Sequence, residues 1–166
     1  MRIKNLGKNF FINSFLILII FLLDRISKIY VINLDKKFFG SEIFSSKYLN
    51  IILVWNEGIA FGLFSSSHEY WYNFLTIFIV LIAIIILIMS IRENGAQRYF
   101  FLIVFGGALG NLYDRIFFKA VPDFLDLHVG NFHWFIFNIA DIFITFGVIM
   151  LILWETLPLN KNYEKR

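Results

Sequence analysis

Residues 70–91 read YWYNFLTIFIVLIAIIILIMSI, a block of 22 positions without one charged side chain. A helix rises 1.5 Å per residue, so such a block is about 33 Å long, enough to cross roughly 30 Å of hydrocarbon. A helix bathed in water would carry polar residues down one side, and this one offers only the scattered Asn73, Thr76 and Ser90. Lipid is therefore the solvent for this segment, and the rest of the chain has to be read on that footing.

Moving outward, three more apolar blocks are tested against the same length. Toward the amino terminus, Phe10 to Leu23 is short and reaches spanning length only by running on through Asp24, Arg25 and Lys28 to about Val31. Toward the carboxyl terminus, Tyr99 to Tyr113 ends at Asp114 and Arg115, and Phe132 to Trp154 holds Asn138 and Asp141 in its opening turns. The expected spans are 10–31, 70–91, 99–115 and 132–154 within a single membrane-embedded domain, 1–166. The first block could open a cleavable leader, but Asp24 and Lys28 stand where a small-residue cleavage site would fall, so it reads as a retained span.

Composition agrees. Of 166 residues, 59% are hydrophobic, 20% aromatic and 16% charged, against about 25% charged in a typical soluble domain. The net charge of +3 is spread between apolar blocks and forms no basic stripe, so nucleic acid is not an expected partner. There is no cysteine, which removes disulfides, thiolate metal ligands and a cysteine nucleophile together.

Lysine and arginine set the expected orientation. Arg2, Lys4, Lys8, Arg92, Arg98, Lys161, Lys165 and Arg166 put eight basic residues on three short segments, against seven in two longer ones. Both termini are thus expected in the cytoplasm, with Asp24–Glu69 on the opposite face. Within that outer segment Tyr48 to Trp55 is β-branched and aromatic, Asn56-Glu57-Gly58 reads as a turn, and Ile59 to Phe64 as a returning strand. The expectation is a small β-hairpin at about 43–66, a cradle on the outer face.

Ionisable groups are costly in lipid, so their presence in a span is a functional signal. Asp24 and Lys28 are spaced to pair along one helix face. Asn111, Asp114 and Arg115 close the third block, Asp123 follows in a loop, and Asn138 and Asp141 open the fourth. All fall at the outer ends of their helices. The bland readings differ from one to the next. Asp24 with Lys28 suits a structural ion pair equally well, Asp114 and Arg115 could merely anchor a helix end, and Asp126, His128 and His133 read as a solvated loop. Asp141 is the hardest to explain that way. Gly106, Gly107 and Gly110 permit close helix contact, which would also bring Asn111 beside a polar neighbour.

Two carboxylates in a poorly hydrated site share a proton: the charged one can take a proton from attacking water while the protonated one polarises a carbonyl and protonates the leaving amine. The same carboxylates could serve a proton- or cation-coupled transporter, and that reading stays open on the residues alone. Against it, 74–90 and 142–154 are almost wholly apolar and offer no polar route through the bilayer. A divalent-metal site from Asp114, Asp123, Asp126, His128 and His133 is a third reading. A purely structural membrane protein is a fourth, and it leaves so many costly groups at one level unexplained.

Five segments resemble the lipoprotein signal peptidase (signal peptidase II) family, in order and spacing. They are Leu23-Asp24-Arg25-Ile26-Ser27-Lys28, Asn56-Glu57-Gly58-Ile59-Ala60-Phe61-Gly62, residues 106–115 (GGALGNLYDR), Val121-Pro122-Asp123-Phe124 and Phe137-Asn138-Ile139-Ala140-Asp141. The resemblance implies a mostly helical, four-span protein of the bacterial cytoplasmic membrane with a small extracytoplasmic β-cradle. It would be an aspartyl endopeptidase that removes the signal peptide from prolipoproteins, cutting just before a diacylglyceryl-modified cysteine. It makes Asp123 and Asp141 the catalytic dyad, with Asn111, Arg115, Asn138 and Ala140 supporting the dyad and substrate backbone. Asp24, Lys28, Asn56 and Gly58 would line or stabilise the site, and Asp114 would order it by pairing. It further implies no metal or cofactor, sensitivity to globomycin-type peptides, membrane lipid as surroundings and a monomer. The chain departs from the family pattern at Pro122, where a β-branched residue is usual, around Ala120, which lacks the usual glycine, and at Ile136, where proline is expected. No carboxylate is lost.

Overall fold

The structure is a computed structural model and describes residues 2–58 and 69–157. In chain order it contains α1 (Arg2–Phe38), β1 (Leu49–Asn56), α2 (Glu69–Arg92), α3 (Gly95–Phe118), β2 (Val121–Val129), β3 (Phe132–Phe137) and α4 (Ile139–Thr156). Among the described residues, three stretches are long and apolar enough to cross a membrane: Tyr72–Arg92, Gly95–Phe118 and Ile139–Thr156. The first helix, α1, is longer at 37 residues and carries Asp24, Arg25 and Lys28 in its second half. It stops where Phe39 and Gly40 take positive φ of 54° and 76°, and the Gly40 N–H turns back to the carbonyl of Asp35. Glycine at the second of these positions avoids the steric cost of the left-handed conformation.

The helices are arranged inside out relative to a soluble bundle. Large apolar residues such as Ile77, Leu81 and Ile85 on α2 and Phe146, Ile149 and Ile152 on α4 are exposed, whereas Asp24, Lys28 and Asp114 are fully buried. That is the distribution lipid demands, because apolar side chains lose nothing there and charges must find partners inside.

Helix α3 is the central element and packs against α1, α2 and α4. Glycine lets it approach closely. A Cβ added at Gly107 would lie 2.6 Å from the Ala140 carbonyl oxygen, and one at Gly110 would run into the Asp24 carboxylate. The small-residue stretch thus brings Asn111 between α1 and the start of α4.

The sheet is three-stranded and antiparallel in the order β1-β2-β3. Strand β1 pairs with β2 from Leu49↔Leu127 to Asn56↔Val121, with a register shift between Ile51 and Val54. Among the described residues β1 finds its partner about 70 positions downstream, at β2, and the returning strand of the hairpin expected at 43–66, residues 59–64, lies outside the described residues. A hairpin that the sequence reading did not expect is β2–β3, joined through Gly130, which has φ of 60°, and Asn131. Two corrections follow. Phe132–Phe137 is strand rather than the opening of the fourth span, so α4 begins at Ile139 and not 132. Asp123 and Asp126 lie on β2, not in loops.

Candidate active site

One residue, Asn138, separates β3 from α4, and it is the N-cap of that helix. Its amide oxygen accepts from the Asp141 N–H at 3.1 Å, and its own N–H donates to Asp141 Oδ2 at 3.1 Å, a reciprocal capping box. Its side-chain Nδ2 donates to Asp123 Oδ1 at 2.6 Å. A single buried asparagine therefore binds both carboxylates. Asp141 stands in the first turn of α4, where unsatisfied backbone N–H groups favour negative charge.

Each carboxylate has one more amide donor. Asn56, the last residue of β1, gives Nδ2 to Asp123 Oδ2 at 2.9 Å, and Asn111 of α3 gives Nδ2 to Asp141 Oδ1 at 2.8 Å. Burial raises the Asp123 carboxyl to about 6, with a smaller upward push from Asp141; the Asn56 and Asn138 amides and the more distant Lys28 charge oppose it. Asp123 thus holds its proton more tightly than an ordinary carboxylate, beside a second carboxylate with one donor on each oxygen.

Behind the dyad lies a buried ion cluster. Lys28 Nζ donates to Asp24 Oδ2 at 2.8 Å, Asp114 Oδ2 at 2.7 Å and Asn111 Oδ1 at 2.9 Å. Asp24 Oδ1 accepts the Ala140 N–H at 3.0 Å, and Asp114 Oδ1 accepts from Arg25. Two anions and two cations thus compensate one another inside the protein, the condition under which buried charge is tolerable.

A cavity of about 320 Å³ opens onto the dyad. Its polar wall is Asn56, Asn111, Arg115, Asp123, Asn138 and Asp141, and its apolar wall includes Phe135, Phe137 and Ile144. Arg115 Nη2 donates to the Gly58 carbonyl, Tyr72 holds the Arg115 carbonyl at 3.0 Å, and Arg115 Nη1 is buried with no partner among the described residues. A larger groove of about 550 Å³ between α1 and α3 is lined by no carboxylate, so the paired carboxylates face the smaller cavity.

The family model for signal peptidase (SPase) II matches residues 16–157 of this chain. The chain belongs to the signal peptidase II family. It is 49% identical over 159 residues to the lipoprotein signal peptidase of Pelagibacter ubique (strain HTCC1062), covering 96% of each chain. It is 45% identical over 141 residues to that of Anaplasma phagocytophilum (strain HZ), covering 82% of this chain and 86% of the relative. A bacterial membrane enzyme solved by the in meso method at 2.3 Å superposes with a TM-score of 0.66 at 29% identity, covering 90% of each chain. A second, solved the same way at 1.9 Å, gives 0.66 at 30% identity, covering 88% of this chain and 93% of that one. The family expected from the five sequence segments is the one found, and these comparisons give no support to the transporter reading.

The residues singled out in the signal peptidase II motifs converge. Asn56, Gly58, Asn111, Arg115, Asp123, Asn138, Ala140 and Asp141 gather around or immediately behind the cavity, and Asp24, Lys28 and Asp114 form the ion cluster. The five residues of the metal reading do not converge: Asp114 is taken up by Lys28 and Arg25, while Asp126 pairs with His133 at 2.8 Å further along the sheet. Among the described residues no three His, Asp or Glu side chains could hold one ion. Asp126, His128 and His133 lie on strands rather than in a loop, with His133 exposed as expected. Asp126 is buried, His133 stacks on His128 with centroids 5.1 Å apart, and His128 reaches Asn50 Oδ1 at 3.1 Å, so the group knits the sheet together. Sequence reasoning missed Arg25 and Tyr72. Arg25 was findable as a third ionisable group in the same turns as Asp24 and Lys28; nothing in the sequence marks Tyr72.

Proposed function

We infer that this protein is a membrane aspartyl endopeptidase that removes signal peptides from bacterial prolipoproteins, cleaving just before the diacylglyceryl-modified cysteine. The observation that carries the reading is Asn138, which holds Asp123 and Asp141 together at the edge of one cavity. In the proposed reaction Asp141, supplied with donors on both oxygens, takes a proton from water as it attacks the scissile carbonyl. Asp123, raised toward neutrality, polarises that carbonyl and then protonates the leaving amine. No covalent intermediate is needed. Arg115 Nη1, buried against the cavity and without a partner among the described residues, offers its N–H to a main-chain carbonyl of the substrate. The apolar wall accepts the adjoining lipid-modified residue.

We place the protein in the bacterial cytoplasmic membrane as a monomer with four spans, α1 being the fourth beside the three apolar helices. Both termini are then cytoplasmic and the dyad and sheet lie near the outer face. A diacylated substrate would reach the cavity sideways from lipid, and globomycin-type peptides would compete for it.

The test is cleavage of a synthetic diacylglyceryl-modified prolipoprotein by the purified chain in detergent. Asp123→Asn and Asp141→Asn are each expected to lower kcat by about 10³-fold or more, and excess chelator to leave the wild type unaffected. Cleavage that survives either substitution, or that chelator abolishes, overturns the reading.

A further inference from the structure

Each of the three asparagines at the dyad has its amide oxygen engaged by a group that can only donate. The Gly58 N–H donates to Asn56 Oδ1 at 2.9 Å, the Asp141 N–H to Asn138 Oδ1 at 3.1 Å, and the Lys28 ammonium to Asn111 Oδ1 at 2.9 Å. The two ends of an amide are nearly the same size, so its neighbours decide which way round it sits. A backbone N–H or an ammonium cannot accept, which forces the oxygen toward it. The NH₂ groups are left facing the carboxylates, two on Asp123 and one on Asp141.

Two of these locks are backbone. The third is a side chain from a different helix, Lys28 of α1, and it is itself held in place. Its other two N–H groups go to Asp24 and Asp114, whose remaining oxygens are tied to the Ala140 N–H and to Arg25. All three of its donors are therefore directed, and the ammonium is fully buried and cannot turn away to water. Lys28 does not line the cavity, and among its three acceptors Asn111 is the one that itself donates to a dyad carboxylate.

Resting on the assignment of Asp123 and Asp141 as the dyad, we propose that Lys28 is a positioning residue for peptide hydrolysis: by fixing the Asn111 amide it keeps a donor, never an acceptor, against Asp141. Without the ammonium, Asn111 is free to turn and set its oxygen against Asp141 Oδ1. Two acceptors repel, and the carboxylate leaves the position from which it receives the proton of the attacking water. The loss falls on the chemical step, because the groups assigned to hold the substrate, Arg115 and the apolar wall, are untouched. A lysine that served only as a structural brace would act without regard to Asn111.

A mutant cycle in the full-length protein in detergent separates the two, with the synthetic diacylglyceryl-modified prolipoprotein as substrate. Lys28→Met and Asn111→Leu are each expected to lower kcat about ten- to hundredfold, the size of one hydrogen bond to a charged group, with KM within about twofold. The double variant is expected to be no slower than the slower single one, because both changes remove the same interaction. Losses that multiply, or a raised KM with kcat kept, overturn the proposal. If Lys28→Met fails to fold, the paired change Asp24→Asn with Lys28→Met removes both charges together and leaves an amide oxygen for the Ala140 N–H. It enters the same cycle with the same expected coupling. Asp123→Asn and Asp141→Asn run alongside: cleavage that ignores them refutes the dyad itself, whereas dyad-dependent cleavage indifferent to Lys28 refutes only this role.

Discussion

Asp123 is buried at the start of β2 beside a second carboxylate, and its carboxyl is raised from 3.8 to about 6, chiefly by burial. A group whose folded value lies above its unfolded one binds its proton more tightly when folded. The associated stability is full below about pH 4 and is lost as pH rises through about 6, to an extent of about 3 kcal/mol for a shift of this size. The melting temperature of the wild type, measured relative to Asp123→Asn in the same detergent, should therefore fall between pH 4 and pH 7. A difference that stays constant across that range would mean that Asp123 titrates as an ordinary carboxylate. At this scale legibility followed cost. Asp141 stood out because a carboxylate in an apolar helix has few structural excuses. Asp123 did not stand out by itself, because its strand conceals its period: polar residues fall at 123, 126 and 128, and the three-residue step from 123 to 126 breaks the alternation by which a strand is recognised. The same break made Asp126, His128 and His133 read as loop.

Helix α3 and the start of α4 meet backbone to backbone, and the glycines there are not equivalent. At Gly106 an added Cβ would stand 3.1 Å from the Ile20 side chain, whereas at Gly107 it would stand 2.6 Å from the Ala140 carbonyl oxygen, which cannot rotate aside. Gly106→Ala is expected to cost less than about 1 kcal/mol and to retain activity. Gly107→Ala is expected to cost roughly 1 to 3 kcal/mol and to lower kcat as well, because the displaced turn carries Asn138 and Asp141. Detergent melting curves and cleavage rates on the two variants check both; equal effects would mean that the helix contact is softer than its geometry. Among the elements, the apolar helices were readable from length, and close approach at the glycines from their spacing. The strand β3 was not, because Phe132–Phe137 is apolar or aromatic at nearly every position and merges with the helix that follows it. Two signals marked the boundary all the same: Gly130-Asn131, a two-residue hairpin turn, and the Asn138-x-x-Asp141 capping box that starts a helix. The pairing of β1 with β2 had no local signal, since a whole helical hairpin intervenes.

For the molecule as a whole, the polar machinery lies at one end of the helices. Helix α3 leaves the tight Glu93–Asn94 link and carries Asn111 and Arg115 in its last two turns, so these residues lie about 24 to 30 Å along its axis from Gly95. The sheet and the amino-terminal end of α4 meet it there. The link and the β2–β3 turn should therefore emerge on opposite faces of the bilayer, and the balance of basic residues assigns the link to the cytoplasm. The absence of native cysteine makes this directly measurable. In spheroplasts, Asn131→Cys in the turn is expected to react with a membrane-impermeant maleimide, and Asn94→Cys in the link only after the membrane is permeabilised. Both positions lie away from the dyad, so cleavage activity reports that the labelled chains are folded. The reverse pattern would place the dyad on the cytoplasmic face, and would mean that charge counting over these short links had misled. Labelling of both without permeabilisation would mean that α3 does not span, and a carboxylate pair held at one depth by crossing helices would have to be given up.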